Sequence, residues 1–147
     1  MNKEIVIAIC ISKEKQLPKE RKEEAFLIKD FGIEGDSHAG TKRQVSMLAQ
    51  EDADKFTKET GILAPAGCFA ENIRTKGLRL KELPVGTRLS LGETIVEITE
   101  IGKPKQEAHT YSYKGYSLLP SCGVFAKIIK GGRLKEKDPI RIIKERS

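Results

Sequence analysis

Residues 31–38 read Phe-Gly-Ile-Glu-Gly-Asp-Ser-His and crowd reactive groups into a stretch with unusual backbone freedom. Glu34, Asp36 and His38 can accept protons, bind a metal or hold a ligand, and Gly32 and Gly35 can take the positive φ that other residues resist. Chemistry of this kind sits on loops held by a rigid frame. The same residues also suit a polar β-turn in which Asp36 closes an Asx-turn and His38 is merely solvated. A second candidate stretch, residues 64–74, places Pro65 and Gly67 ahead of Glu71, Asn72 and Arg74, which surround one apolar residue, Ile73. Its alternative is a turn with a left-handed Asn and an exposed charge pair.

The third candidate is a thiol. Three cysteines without a short paired spacing suggest neither a disulfide framework nor a zinc ribbon. Cys10 lies in an apolar run, Cys68 is flanked by Gly67 and Phe69, and Cys122 stands where an irregular segment meets an ordered one. Lys127 and Lys130 would favour a thiolate at Cys122, whereas burial against Val124 and Phe125 would silence it. Phosphate-cradling glycine loops, HExxH zinc helices and GxSxG elbows are absent from the sequence. Two histidines do not suggest a protein-bound metal cage, so no metal ligands are assigned.

Short β elements must position these groups. Residues 5–11 form a continuous apolar run expected to be a strand buried on both faces, with Cys10 in the core. The polar run 12–24 reads as a surface excursion, and residues 25–28 as a short strand delivering the chain to the Asp36 loop. Residues 43–48 alternate like a half-buried strand. Residues 51–59 change period: acids at the start, Ala53 and Phe56 three apart and Gly61 beyond the end predict one short helix. Residues 87–91 and 94–101 predict a hairpin. Residues 102–119, with Pro104, His109 and three tyrosines, predict a long loop. Residues 124–130 and 139–144 suggest a second hairpin-like unit.

These segments, with one helix and no regular strand–helix alternation, predict an all-β domain, mainly antiparallel, curled into a closed or nearly closed β-barrel. The 147 residues suffice for a single domain with its own core. The apolar N-terminal run is too short to span a membrane, which predicts a soluble, cytoplasmic protein without a membrane partner. A net charge of +6 suits an anionic partner, either a phosphate ester or nucleic acid. Interspersed Lys and Glu with only 5% aromatic residues leave few stacking platforms and argue against nucleic acid.

Taken in order, residues 32–38, Arg43-Gln44-Val45-Ser46, Gly67 with Glu71-Asn72-Ile73, Val85-Gly86, residues 89–92, Ile101-Gly102-Lys103, residues 123–127 and Gly131-Gly132 resemble the MOSC domain, named for the molybdenum cofactor sulfurase C-terminus. The resemblance spans nearly the whole chain and is to the small stand-alone bacterial members. It implies a barrel of the pyruvate-kinase-barrel-like type that binds the molybdenum cofactor (molybdopterin), and a cysteine that carries sulfur as a persulfide to it or to a metal–sulfur centre. It also implies a cysteine desulfurase as donor and a molybdoenzyme as acceptor. The pyridoxal-phosphate module of the larger sulfurases has no counterpart in this chain. On this reading Cys122 is the sulfur carrier; Arg43, Arg74 and Lys127 neutralise an oxyanion; and Gly35, Asp36, His38, Glu71 and Asn72 shape and orient the cofactor site. Many small relatives have a Cys shortly after the Gly-Lys of the Ile101-Gly102-Lys103 motif, where this chain has Pro104-Lys105-Gln106. The alternatives are a non-catalytic pterin-binding barrel and a small basic barrel that binds nucleic acid.

Overall fold

Apolar, largely β-branched runs separated by Gly and Pro produce eleven short strands among the described residues of the computed structural model, which are 3–14, 18–102 and 112–144. In chain order the elements are β1 (Ile5–Ile11), β2 (Glu20–Lys22), β3 (Glu24–Ile28), β4 (Gly32–Ile33), β5 (Val45–Ala49), α1 (Gln50–Thr60), β6 (Ile73–Lys76), a 3-10 turn (Leu80–Glu82), β7 (Arg88–Leu91), β8 (Thr94–Ile101), α2 (Leu119–Cys122), β9 (Val124–Lys130), β10 (Gly132–Lys135) and β11 (Ile140–Lys144). The all-β expectation holds, and α1 falls where its pattern predicts. Glu51 and Asp52 occupy its first turn, Ala53 and Phe56 face inward, and Gly61 caps it at φ 77° by donating its N–H to the Thr57 carbonyl.

The strands form an eight-stranded sheet in the order β11-β7-β8-β9-β5-β6-β1-β2 and a three-stranded sheet in the order β10-β3-β4. Neither sheet closes into a barrel by a continuous ladder, which corrects the closed form of the expected barrel. After β9 the chain crosses at Gly131 and Gly132 to pair with β3, which removes β10 from the large sheet. The free half of the β1 edge is instead met by the turn ahead of β11 and by the first residue of β11, with an isolated antiparallel bridge between Ile5 and Pro139. Val6 N–H donates to the Asp138 carbonyl at 2.9 Å, Lys137 N–H to Val6 at 2.6 Å and Ile140 N–H to Glu4 at 2.8 Å. These bonds satisfy the edge without continuing the ladder.

The β7–β8 hairpin is present, Leu91 pairing with Thr94. The second hairpin-like unit is not: β9 pairs with β8 and β5, and β11 pairs with β7. β5 also departs from the expected alternation, since all five of its residues are buried. Val45 and Met47 enter the main core, which includes Leu27, Ile33 and Leu134 of the small sheet, while Leu48 enters a second cluster with Phe56, Phe69, Leu119, Cys122 and Phe125. The run 12–24 carries an exposed strand, β2, but is not wholly on the surface, for it contains a buried lysine, Lys19. Of the long loop expected over 102–119, residues 103–111 lie outside the described residues; beyond them Tyr113 and Tyr116 form an isolated bridge ahead of α2. Among the described residues, no helix is long and apolar enough to cross a membrane.

Candidate functional site

The two polar loops singled out in the sequence are both fastened to the C-terminal end of β1. Asp36 Oδ1 accepts the Ser12 N–H at 3.1 Å, and the Ser37 N–H returns to the Ser12 carbonyl at 2.8 Å. On the other loop, the Cys10 N–H donates to the Asn72 carbonyl at 2.6 Å and Asn72 Nδ2 donates to the Cys10 carbonyl at 3.0 Å. Lys19 joins them. Its backbone N–H reaches the Gly67 carbonyl at 3.0 Å, and its ammonium reaches Asp36 Oδ1 at 2.8 Å. The approach is close enough that a Cβ at Gly67, where φ is +85°, would lie 2.1 Å from the Lys19 carbonyl oxygen. Lys19 is a site residue that sequence reasoning missed, because nothing local distinguishes it from the charged residues around it.

Asp36 is a buried carboxylate whose partners decide its charge. Burial pushes its carboxyl up, but the neighbouring His38, the Lys19 ammonium and the Ser12 N–H together hold it well below the usual carboxylate range. Its Oδ2 accepts the His38 backbone N–H at 3.1 Å, giving the Asx-turn that the sequence allowed. Gly35 takes φ +84° immediately before it. The His38 side chain is 34% exposed and turns its Nδ1 to Lys19 Nζ at 3.2 Å.

Glu71, Asn72 and Arg74 are buried and spend their polar atoms on the protein. Glu71 accepts the N–H groups of Gly67 at 3.1 Å and Phe69 at 3.0 Å, and it pairs with Arg74. Arg74 fills its remaining donors with Gln50 Oε1 at 2.8 Å and with the carbonyls of Ala64 at 3.0 Å and Pro65 at 3.1 Å. Asn72 Oδ1 accepts the Ser46 N–H at 3.0 Å. These three residues shape the loop from within. The left-handed residues here are Gly67 and, without glycine's freedom, Ala70 at φ 66°, and not Asn72.

Arg43 lies just ahead of β5 and Lys127 lies on β9, which are adjacent central strands of the large sheet. Arg43 forms a two-pronged pair with Glu100 at 2.9 and 3.0 Å and lies over the Phe125 ring at 5.2 Å. Lys127, beside Glu97 in the β8–β9 register, approaches it at 3.6 Å and is 42% exposed.

Cys122 ends the single turn of α2 and is 9% exposed. The cation at its sulfur is Lys81, from the 3-10 turn, and not the expected Lys127 or Lys130: Nζ lies 3.6 Å from Sγ. Ser121 Oγ is also 3.6 Å away, and Asp52 holds Lys81 from α1 at 3.2 Å. Partial burial lowers the Lys81 pKa, yet Cys122 and Asp52 outweigh it and leave the ammonium strengthened. Lys81 also lines a cleft of about 340 Å³ together with Arg79, Gly77, Glu51 and Asp52. Cys10 and Cys68 contrast with this arrangement. Burial, followed by the charge of Glu71, pushes both thiols up to about 12. The structure thus makes two groupings, one of Lys19, Asp36 and His38 and one of Asp52, Lys81 and Cys122. The loop of residues 65–72 is common to both, because Gly67 abuts Lys19 while Cys68 and Phe69 pack in the Cys122 cluster.

This architecture has solved counterparts. YiiM from Geobacillus stearothermophilus superposes with a TM-score of 0.73 at 14% identity, over 96% of this chain and 75% of that one. YuaD protein from Bacillus subtilis gives a TM-score of 0.70 at 16% identity, over 95% of this chain and 97% of its own. YiiM from Escherichia coli gives 0.68 at 20% identity, over 97% of this chain and 71% of that one. At these identities the likeness establishes the fold. No curated protein matches the sequence significantly. Residues 34–141, which hold both polar loops, the Lys81 turn and Cys122, match the family model described as the MOSC domain, and the chain belongs to that family.

Proposed function

We propose that this MOSC domain takes the molybdenum cofactor, an anionic pterin, as its substrate and carries sulfur to it on Cys122. The observation that supports the reading best is the Lys81 ammonium 3.6 Å from Cys122 Sγ, on the wall of a cleft that also contains Arg79. An anionic sulfur at Cys122 faces a cation held in place by Asp52, and an anionic substrate would have to reach Arg79 and Lys81 on a wall that they share with Glu51, Asp52 and Glu82. Loading is a sulfur exchange without net oxidation. The Cys122 thiolate attacks the outer sulfur of a protein persulfide, such as that of a cysteine desulfurase; the new S–S bond forms as the old one breaks, and the donor leaves as a thiolate. Unloading is the same exchange again: a thiolate of the cofactor or of its molybdoenzyme attacks the outer sulfur, the new S–S bond forms as the Cys122 S–S bond breaks, and Cys122 leaves as a thiolate.

His38 and Lys127 retain exposed polar groups able to meet the substrate. Glu71, Asn72 and Arg74 serve by fixing the loop backbone, since their own polar atoms are engaged. Incubation with a protein-persulfide donor followed by mass spectrometry tests the carrier role. The expected result is about 32 Da added at Cys122, one sulfur atom on the cysteine ladder, with slower loading in Lys81→Met. Unchanged loading in Cys122→Ala sinks the carrier reading. A second reading, a pterin-binding domain without sulfur chemistry, draws on the 9% exposure of Cys122. Native mass spectrometry showing bound pterin without added sulfur would favour it.

A further inference from the structure

We propose that Lys19 is a positioning residue that orients the His38 imidazole with its proton on Nε2, making the ring a hydrogen-bond donor to an oxyanion of a bound ligand. The inference rests on the reading of the Asp36–His38 loop as ligand-facing, and it assigns a role to a lysine that takes no part in the sulfur step. An ammonium has three hydrogens and no acceptor. Around Lys19 Nζ stand two oxygen acceptors, Asp36 Oδ1 at 2.8 Å and Ser12 Oγ at 3.4 Å, and a ring nitrogen, His38 Nδ1, at 3.2 Å, which can bond to the ammonium only as an acceptor. The Lys19 side chain is 1% exposed and that of Asp36 fully buried, so water does not compete for these positions.

A hydrogen on Nδ1 would point at this ammonium. Its alternative acceptors are remote: Asp36 Oδ2 lies 3.8 Å away and already accepts the His38 backbone N–H at 3.1 Å, and Ser37 Oγ lies at 3.4 Å, so neither offsets the repulsion from Lys19. The proton therefore belongs on Nε2. Ser37 Oγ, at 3.4 Å from Nδ1, can donate to the same lone pair. Among the described residues Nε2 has no hydrogen-bond partner, and the ring is one-third exposed, in contrast to the sealed pair behind it. Donation from Lys19 into Nδ1 polarises the imidazole and strengthens the N–H at its far side. Asp36 balances the Lys19 charge, so the ring meets a ligand as a directional donor. Such a donor selects an acceptor oxygen, and the net charge of +6 favours an anionic one.

Long-range proton–nitrogen NMR of the histidine rings at neutral pH, without any sulfur donor, tests this directly. His109→Gln assigns the two histidines. The expected spectrum shows a bare Nδ1 and a protonated Nε2 for His38, and added inorganic phosphate shifts the Nε2 resonance. Lys19→Met is expected to mix the two tautomers and weaken phosphate binding about tenfold, the size of one charge-assisted hydrogen bond. A proton on Nδ1 in the wild-type protein, an unchanged tautomer in Lys19→Met, or His38 nitrogens that ignore phosphate would each overturn the proposal. Should Lys19→Met fail to fold, the wild-type spectrum and phosphate titration still decide it. A missing persulfide on Cys122 refutes the carrier reading and leaves the His38 assignment standing; a phosphate-blind His38 does the reverse.

Discussion

Asn72 and Cys10 exchange two hydrogen bonds, Cys10 N–H to the Asn72 carbonyl at 2.6 Å and Asn72 Nδ2 to the Cys10 carbonyl at 3.0 Å, while Asn72 Oδ1 reaches across to the Ser46 N–H. One amide thus ties β1 to β5, which flank β6 on opposite sides. Asn72→Ala strands a buried donor at Ser46 and a buried acceptor at Cys10, and it should destabilise the fold by about 2–4 kcal/mol. Asn72→Asp should be no better, because a carboxylate would oppose the Cys10 carbonyl. Urea unfolding of both variants checks this; wild-type stability in Asn72→Ala would return the residue to a ligand-facing role.

The Glu71–Arg74 pair makes a different prediction because both charges are buried. Removing one partner leaves the other uncompensated, so Glu71→Gln should cost about 3–5 kcal/mol. Glu71→Gln combined with Arg74→Met should cost less than the two single changes added together. A double-mutant cycle by denaturant unfolding measures the coupling. Additive losses would show that the pair is not a unit.

Acid stability should report on Asp36. Its folded pKa lies below the unfolded value, so the stability it contributes is present in full above the ordinary aspartate value of about 3.9 and is lost as pH falls from there towards the depressed folded value. The urea midpoint of the wild-type protein should fall as pH drops below about 4. Asp36→Asn should be less stable at pH 7, because Lys19 loses its counter-ion, and its midpoint should change less with acidification. Parallel profiles for the two proteins would remove Asp36 from the acid transition.

Thiol chemistry should separate the three cysteines. Cys10 and Cys68, raised to about 12, are expected to remain unmodified by a thiol-specific reagent at neutral pH in the folded protein. Cys122, buried but the least so of the three at 9% exposure, and beside Lys81, should react first, and Lys81→Met should slow it several-fold. Peptide mapping after timed alkylation gives the order. Equal labelling of Cys10 and Cys122 would contradict it.

The Gly67 contact predicts a backbone effect. Gly67→Ala combines a positive φ with a Cβ 2.1 Å from the Lys19 carbonyl, and it should destabilise the protein by at least about 1–3 kcal/mol. Because Lys19 also sets the His38 environment, the His38 ring resonances should shift in the same variant. A stable Gly67→Ala protein with unchanged His38 signals would show that the two loops are not joined there.

What the amino-acid order determined was local. The acidic start, the Ala53–Phe56 spacing and Gly61 marked α1, the residues 87–91 and 94–101 marked the β7–β8 hairpin, and the Asp36 loop was recognisable from its own residues, because each signal lies within a few positions of the structure it specifies. Tertiary structure decided what distant segments do to one another. It buried Lys19 against Asp36 across 17 positions, brought Lys81 to Cys122 across 41, and sent β10 to β3 instead of leaving it in the sheet that holds β9. It also turned Glu71, Asn72 and Arg74 from apparent ligands into internal supports, since only packing reveals which polar atoms are already satisfied. A lysine reads the same in sequence whether water or a buried carboxylate surrounds it; burial and pairing are properties of the assembled chain, and they set the chemistry of this site.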